Sequence, residues 1–216
     1  MSRIAVPILL SFFLITLVIL PASATTVTIG DIFSETDATA SIMINDVIDV
    51  AIAGVDVTFD PSVIVVTDAE KGDFQKFIKN LEHADGGVRI GGYNLEEGLN
   101  GNVILANLTI RPKGSYGEIS DLDIEITSEL KDSSNNPIDA EAIDGFFYIG
   151  KNGDVNADHE VTSYDCVYIA RWIAGIEGYD LKGEVAEVSG DGMVDAYDCV
   201  FLARHIAGIS GYEELK

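Results

Sequence analysis

The feature that most constrains this 216-residue chain is a segment of 16 residues that occurs twice near its end. YDCVYIARWIAGIEGY, residues 164–179, returns as YDCVFLARHIAGISGY, residues 197–212, with 12 of 16 positions identical. The apolar spacing in each copy predicts an amphipathic helix, which Gly175 and Gly208 should end. Two copies are too few for a solenoid. We therefore predict a two-fold pair of helices, each burying the other's apolar stripe: Val167, Ala170, Ile173 and Ala174, with Val200, Ala203, Ile206 and Ala207.

A twelve-residue run of oxygen-bearing side chains precedes each predicted helix. Calcium takes six to eight oxygen ligands, and such a loop supplies them from positions 1, 3, 5, 7, 9 and 12, using a backbone carbonyl at position 7. The first loop offers Asp154, Asn156, Asp158, the Glu160 carbonyl, Thr162 and Asp165. The second loop offers Glu187, Ser189, Asp191, the Met193 carbonyl, Asp195 and Asp198. Matching loops predict two Ca²⁺ ions rather than two solvated acidic turns or magnesium sites, because Mg²⁺ prefers octahedral sites and keeps its waters.

Both loops depart from the usual pattern of such sites. Position 6 usually carries Gly because the backbone there needs a positive φ; Gly192 suits this, whereas His159 should cost about 1 kcal/mol. In the second loop, Glu187 is one methylene longer than Asp, and Ser189 is a weaker ligand than Asn or Asp. Both loops carry Asp rather than Glu at position 12, and we expect the shorter side chain to have less reach for bidentate contact with the ion.

Residues 26–149 have the pattern of short strands separated by Gly, Asp, Asn and Pro. About eight segments are rich in β-branched and aromatic residues, and several alternate apolar with polar positions, which predicts an antiparallel β-sandwich of the jelly-roll type. In the strand NVILANLTI, strict alternation would put Ile104, Ala106, Leu108 and Ile110 on one face. Residues 72–84 have a helix-like pattern that fits an irregular strand and loop equally well.

The loop and helix together, GDVNADHEVTSYDCVYIARWI, resemble the dockerin module of cellulosome-type assemblies, since the helix that would enter a classical EF-hand is replaced by strand and turn. Residues 26–149 resemble a cohesin domain through VAIAGVDVTFDPSVIVVTDAEKGDF, GGVRIGGYN and GNVILANLTIRPKG, with the family's Asp-Pro-Ser-Val turn at residues 60–63. The expected organisation is a signal peptide at 1–24, a cohesin-like sandwich at 25–149 and a dockerin at 153–214.

This resemblance implies a non-catalytic assembly protein whose dockerin binds a cohesin domain of another protein. It also implies partner contacts at Ser163, Tyr164, Arg171, Ala196, Tyr197 and Arg204. The sandwich could in turn receive the dockerin of another protein, or the dockerin of a second copy of this chain. The alternative is a carbohydrate- or surface-binding protein tethered by its dockerin. A sandwich without Trp argues against glycan binding, and no motif indicates an enzyme.

The first 24 residues fit a secretory signal peptide, with Arg3 before an apolar run and Ala22-Ser23-Ala24 as the cleavage site. A retained membrane anchor is the alternative. The remaining chain keeps 12 of the 13 basic and all 36 acidic residues, a net charge of −24, which makes nucleic acid a poor partner and predicts none. Asn107 begins a glycosylation sequon. We expect the two cysteines, Cys166 and Cys199, to be unpaired core thiols.

Overall fold

The computed structural model describes residues 24–181 and 183–216, so the predicted signal peptide lies outside the described residues apart from Ala24. These residues form a β-sandwich followed by a small helical region. The strands are β1 (Thr25–Ile29), β2 (Ile32–Phe33), β3 (Ala38–Thr58), β4 (Ile64–Lys71), β5 (Lys76–Ala84), β6 (Gly87–Tyr93), β7 (Leu99–Pro112), β8 (Ile119–Asp132), β9 (Pro137–Ile138), β10 (Ala140–Ile143) and β11 (Gly145–Tyr148). The helices are α1 (Ser163–Ile173), α2 (Gly183–Ala186) and α3 (Ala196–Ile206). Within the described residues, no helix is long and apolar enough to cross a membrane.

Strand β3 joins the two layers of the sandwich because it belongs to both. Its first part pairs with β1 and β7, and its second part pairs with β6 and β8. The strand changes partners near Asp46 and Asp49. There φ is 53° and 61°, in the left-handed region that Asp tolerates better than most residues. The segments ATASIMIND (residues 38–46) and VAIAGVDVTFD (residues 50–60) predict two separate strands here, whereas the structure has one strand with an irregular centre.

One layer has the strand order β10-β1-β3-β7-β4, and the other has the order β5-β6-β3-β8-β11-β2. Their apolar faces enclose the main core, whose fully buried members include Ile42, Ile44, Val55, Leu108 and Phe147. The predicted sandwich is confirmed. Most strand pairs are antiparallel. Two pairs are parallel, β1 with β10 and β2 with β11, and each joins a strand from the start of the sandwich to one from its end.

Two local predictions need comment. Residues 76–84, within the ambiguous segment, form strand β5 rather than a helix. The alternation predicted for β7 is wrong before Ala106, because a register shift places Ile42 opposite Ala106 but Met43 opposite Ile104. This bulge turns Leu105 into the core together with Ala106, since a bulged strand sets two residues against one on its partner.

The helical region has a small core of its own. Ile169 of α1, Leu202 of α3 and Val188 between them are fully buried there. Both helices end as predicted: Gly175 and Gly208 follow the last turns with φ of 66° and 65°.

Candidate calcium loops and docking surface

The side chains of the first loop turn inward because they accept hydrogen bonds from the loop's own backbone. The buried Asp154 carboxylate accepts the N–H groups of Asp158 at Oδ1 (3.1 Å) and of His159 at Oδ2 (2.8 Å). Asn156 Oδ1 also accepts from the N–H of Asp158 (2.9 Å), and Asp158 Oδ1 accepts from that of Glu160 (2.9 Å). Positions 1, 3 and 5 of the predicted ligand set thus lie in one turn.

Asp165, at position 12, closes the loop and begins helix α1. Its Oδ1 accepts the N–H of Val155 (3.0 Å), and its Oδ2 accepts that of Thr162 (2.7 Å). Thr162 in turn caps the helix by accepting the N–H of Tyr164 (3.1 Å). Burial raises the pKa of the Asp165 carboxyl above its usual range, and the charge of Asp154 adds to the rise. The structure therefore brings Asp165 to the same loop interior as Asp154.

The second loop repeats this arrangement with different side chains. Asp198 Oδ1 accepts the N–H of Val188 (3.0 Å), and its Oδ2 accepts that of Asp195, the N-cap of α3 (2.8 Å). Glu187 Oε1 accepts the N–H groups of Gly190 (2.7 Å) and Asp191 (3.1 Å). The longer side chain at position 1 still reaches the turn. The other predicted positions of this loop are intermediate or exposed: Ser189, Asp191, Met193 and Asp195.

The backbone of both loops follows the same path despite different residues. At position 6, φ is 77° for His159 and 82° for Gly192, so His159 adopts the left-handed conformation that its position demands. Position 4 is also left-handed, with φ of 56° at Ala157 and 79° at Gly190. The first loop therefore carries two residues in a conformation that costs side-chain-bearing residues free energy, whereas the second uses glycine at both positions.

The charges of the loops fit a divalent cation. Asp154, Asp165 and Asp198 are completely buried, and no ion pair within the described residues includes any of them. A buried carboxylate without a counter-charge costs several kcal/mol, and oxygen ligands of this kind are those that calcium prefers. The described residues contain no group of three or more His, Cys, Asp and Glu side chains arranged to hold a metal. The ligands predicted for the two loops also include an amide, hydroxyls and backbone carbonyls, and these do not count among His, Cys, Asp and Glu side chains.

Sequence reasoning missed a contact between the sandwich and the first loop. Tyr116, in the turn between β7 and β8, donates its phenolic hydrogen to Asp154 Oδ2, and its ring lies over His159 with centroids 3.7 Å apart. Tyr148, at the end of β11, donates to the backbone oxygen of Asp154 (3.3 Å). Tyr116 and Asp154 are 38 positions apart, and no local pattern signals such a contact.

The prediction that each helix buries its regular apolar stripe is wrong. Val167 and Ile173 are 40% and 43% exposed, and Val200 and Ile206 are 42% and 39% exposed. The alanines of the stripe are exposed as well: Ala170, Ala174, Ala203 and Ala207. Each helix has a second apolar face, and that face packs into the small core. The structure therefore leaves two equivalent apolar surfaces open to solvent.

The residues predicted to contact a partner border these surfaces. Tyr164 and Tyr197 are 49% and 45% exposed. Ser163, Ala196 and Arg204 are exposed too, while Arg171 is partly buried. Each arginine lies over a tyrosine of its own repeat: Arg171 over Tyr179 and Arg204 over Tyr212, both 4.9 Å from the ring centroid. Each arginine is thus held by a contact within its own repeat.

Three further predicted features can be placed in the structure. Cys166 and Cys199 are free and pack against the same small core. Burial raises the pKa of Cys166 to about 11, with a smaller contribution from Cys199, so its thiol stays protonated at neutral pH. Asn107 lies in β7, where its Oδ1 accepts the hydroxyl hydrogen of Ser41 (2.7 Å), so the glycosylation sequon is partly engaged within the sheet.

Comparisons with known proteins agree with this two-part organisation. Residues 152–207 match the family model of the dockerin type I domain. The sandwich resembles a non-cellulosomal cohesin from the hyperthermophilic archaeon Archaeoglobus fulgidus, with TM-score 0.52 and 18% identity over 61% of this chain and 95% of that one. It also resembles the sixth cohesin of Acetivibrio cellulolyticus scaffoldin B, solved with a Cel5 dockerin mutant, with TM-score 0.52 and 17% identity over 59% and 99% of the two chains.

A third similar structure is CaCohA2 from Clostridium acetobutylicum, with TM-score 0.51 and 17% identity over 59% of this chain and 92% of that one. Among curated proteins, none matches the chain. At these identities the structural likeness shows the fold. The chain therefore has a cohesin fold followed by a dockerin type I domain.

Proposed function

We propose that this chain, with a cohesin fold followed by a dockerin type I domain, is a secreted, non-catalytic assembly protein. Its dockerin, residues 153–214, binds a cohesin domain of another protein when both loops hold calcium. The cohesin-like sandwich spans residues 25–149, after a signal peptide at 1–24. Calcium would supply the positive charge that the buried carboxylates of the loops lack, and the predicted ligands of both loops would hold it.

The observation that carries this proposal is the pair of exposed apolar helix faces. The first face contains Tyr164, Val167 and Ile173 and the second contains Tyr197, Val200 and Ile206. Monomeric proteins rarely leave large contiguous apolar surface exposed, and such surface marks interaction sites. Tyr beside Arg is also typical of the residues that dominate binding energy. Because the two faces are nearly identical, a partner could bind in either of two orientations related by a half-turn.

Each histidine of the described residues has a partner within the structure: His83 with Asp56, His159 with Tyr116, and His205 with the carbonyl of Tyr212. The acidic surface favours cations and basic groups as ligands.

Affinity capture tests the proposal. The chain, immobilised in calcium, is exposed to the secreted fraction of the producing cell, and bound proteins are identified by mass spectrometry. We expect a protein containing a cohesin domain, released by chelator and not retained by the Tyr164→Ala, Tyr197→Ala double variant. Retention of the same proteins by the double variant, or in chelator, would contradict the proposal.

A second candidate function, reception of a dockerin by the sandwich, rests on the exposed face of the β5-β6-β3-β8 sheet. Ile78 and Tyr93 are 62% and 36% exposed there and line one shallow depression together with Gly54 and Gly91. Cohesins bind dockerins through a flat sheet face. If the bound dockerin belongs to a second copy of this chain, head-to-tail binding gives rings or filaments. Sedimentation with calcium and with chelator would detect this self-association.

Glycan binding by the sandwich remains the alternative that a glycan array would test. Proteins that bind glycans on a sheet usually present a row of exposed aromatic rings. The large apolar residues exposed on the described sandwich include one aromatic residue, Tyr93, and four aliphatic ones, Ile48, Ile78, Leu95 and Ile143. This composition favours a protein partner over a polysaccharide.

A further inference from the structure

Within the described residues, the sandwich donates side-chain hydrogen bonds to the first loop and none to the second. Tyr116 donates to the carboxylate of Asp154, and Tyr148 donates to the backbone oxygen of the same residue. In the second loop, the equivalent Glu187 accepts from Ser189, Gly190 and Asp191, all within its own loop. The two-fold symmetry of the repeats is therefore broken at position 1.

The two tyrosines are held firmly by packing. The rings of Tyr116 and Tyr148 lie edge to face with centroids 6.4 Å apart. Tyr148 also belongs to an apolar cluster with Phe146 of the sandwich and Val185 of α2, against which Val155 of the first loop packs. A tyrosine hydroxyl is ordinarily protonated at neutral pH, so both phenols can act as donors. The sandwich thus presents two fixed hydroxyl donors to one residue of the loop.

The hydrogen bonds of Asp154 are compatible with a bound cation. An ionised carboxylate has about four lone-pair sites. The Asp154 carboxylate accepts from Asp158, His159 and Tyr116, which leaves acceptor capacity. Charge-assisted hydrogen bonds of this kind fix the orientation of a carboxylate. Groups that orient a metal ligand raise the affinity for the metal without touching it.

We propose that the first calcium site is built by both parts of the chain, with Tyr116 of the sandwich as a positioning residue for its ligand Asp154. This inference rests on the proposed calcium binding by the loops. If the contact of Tyr116 with Asp154 raises the affinity of the first loop for calcium, bound calcium must strengthen that contact between the sandwich and the dockerin by the same free energy. Calcium in the first loop therefore also fixes the dockerin against the sandwich, whereas calcium in the second loop acts on the dockerin alone.

The test measures the two sites separately in the full secreted chain. The amide signals of His159 and Gly192, at position 6 of each loop, are followed by nuclear magnetic resonance while free calcium is set by a chelator buffer. For Tyr116→Phe we expect the free calcium concentration at the midpoint of the His159 titration to rise roughly tenfold. The midpoint at Gly192 should not change. Tyr148→Phe should raise the His159 midpoint less, about threefold, because it removes a bond to a neutral carbonyl. Thr67→Val, which removes an exposed hydroxyl of β4 that donates to the carbonyl of Thr109, is the control and should change neither site.

Two results would overturn the inference while leaving calcium binding intact. One is an unchanged titration at His159 in Tyr116→Phe. The other is an equal weakening at His159 and Gly192, which would indicate general destabilisation. Absence of any calcium response at both amides in the unmodified chain would overturn the proposed calcium binding and this inference together. The dispersion of the sandwich amides reports in every case whether the variant is folded.

Discussion

Buried carboxylates in the sandwich and in the dockerin have different partners. In β3, Asp56 accepts from both Nε and Nη2 of Arg89 at 2.6 Å, and His83 lies 3.2 Å away. In the loops, Asp165 and Asp198 are more deeply buried and accept only backbone N–H groups. A buried charge without a counter-charge costs several kcal/mol. The sandwich therefore carries its own counter-charge, whereas the described residues supply none to Asp165 and Asp198, where we propose that calcium supplies it.

The largest expected effect of this difference is on folding. Removing calcium with a chelator should unfold the dockerin and leave the sandwich folded, because about 60 residues with short helices bury too little apolar surface to be stable alone. Trp172, the only tryptophan, lies in α1 and reports on the dockerin alone. Its fluorescence and the helical circular dichroism should change together in chelator. If neither signal changes, the comparison between the two regions fails.

Two substitutions in the first loop should distinguish the stability lost with a buried carboxylate from the stability lost with a helix cap. Asp165→Ala leaves backbone donors unpaired and removes a charged ligand, so the free energy of unfolding of the dockerin in calcium should fall by about 3 kcal/mol. Thr162→Ala removes the cap and the predicted position-9 oxygen, a position that often reaches the ion through water, and should cost about 1 kcal/mol. Urea unfolding followed by Trp172 fluorescence measures both. Equal losses would mean that Asp165 acts only through the helix start.

Exchanging Gly and Ala at positions with positive φ should change the stability of the dockerin in opposite directions in the two loops. Gly192→Ala introduces a side chain at φ 82° with open space around it, so strain alone should destabilise the dockerin by about 1 kcal/mol. Ala157→Gly, at φ 56°, relieves the same strain and should stabilise it by about 0.5 kcal/mol. The same urea experiment in saturating calcium distinguishes the two. Stabilisation by Gly192→Ala would refute the strain argument.

The smallest expected effect is the acid sensitivity of the sandwich. The hydrogen bond from Arg89 holds the pKa of Asp56 below its usual range. A carboxyl whose pKa is lowered in the folded state stabilises it above the unfolded pKa, about 4, and this contribution is lost as the pH falls through the folded pKa. Because Arg89 is half-exposed, the contribution should be below about 1 kcal/mol. Unfolding of Asp56→Asn should depend less on pH below about 4 than that of the unmodified sandwich.

Local features of the site could be predicted from the sequence. The matching loops and the glycines after each helix are signals that span only a few residues, and the structure places the loop backbones and helix ends accordingly. That the loop side chains bind calcium stays a prediction. His159 also adopts the positive φ that the loop pattern demands at its position. The strands of the sandwich were recognisable from β-branched and aromatic segments, and the family resemblance added the order of the parts.

Features that depend on distant packing could not be predicted. Both faces of α1 and α3 are apolar, so periodicity alone could not decide which face is buried. Strand β3 passes from one layer to the other because of its partners, which lie far away in the sequence. The bulge at Leu105 depends on the register with β3. Tyr116 contacts the first loop only because the turn between β7 and β8 packs beside it.

The measurement that tests the central claim most directly is titration calorimetry of the chain, in calcium, with the cohesin that it captures. Tyr164→Ala and Tyr197→Ala are compared singly and together with the unmodified chain. If the two exposed faces are equivalent, losing one leaves the other orientation available, so each single change should weaken binding only about twofold. The double variant should show no binding. Complete loss in one single variant would mean that only one face is used, and undiminished binding by the double variant would contradict the assignment of these faces as the docking surface.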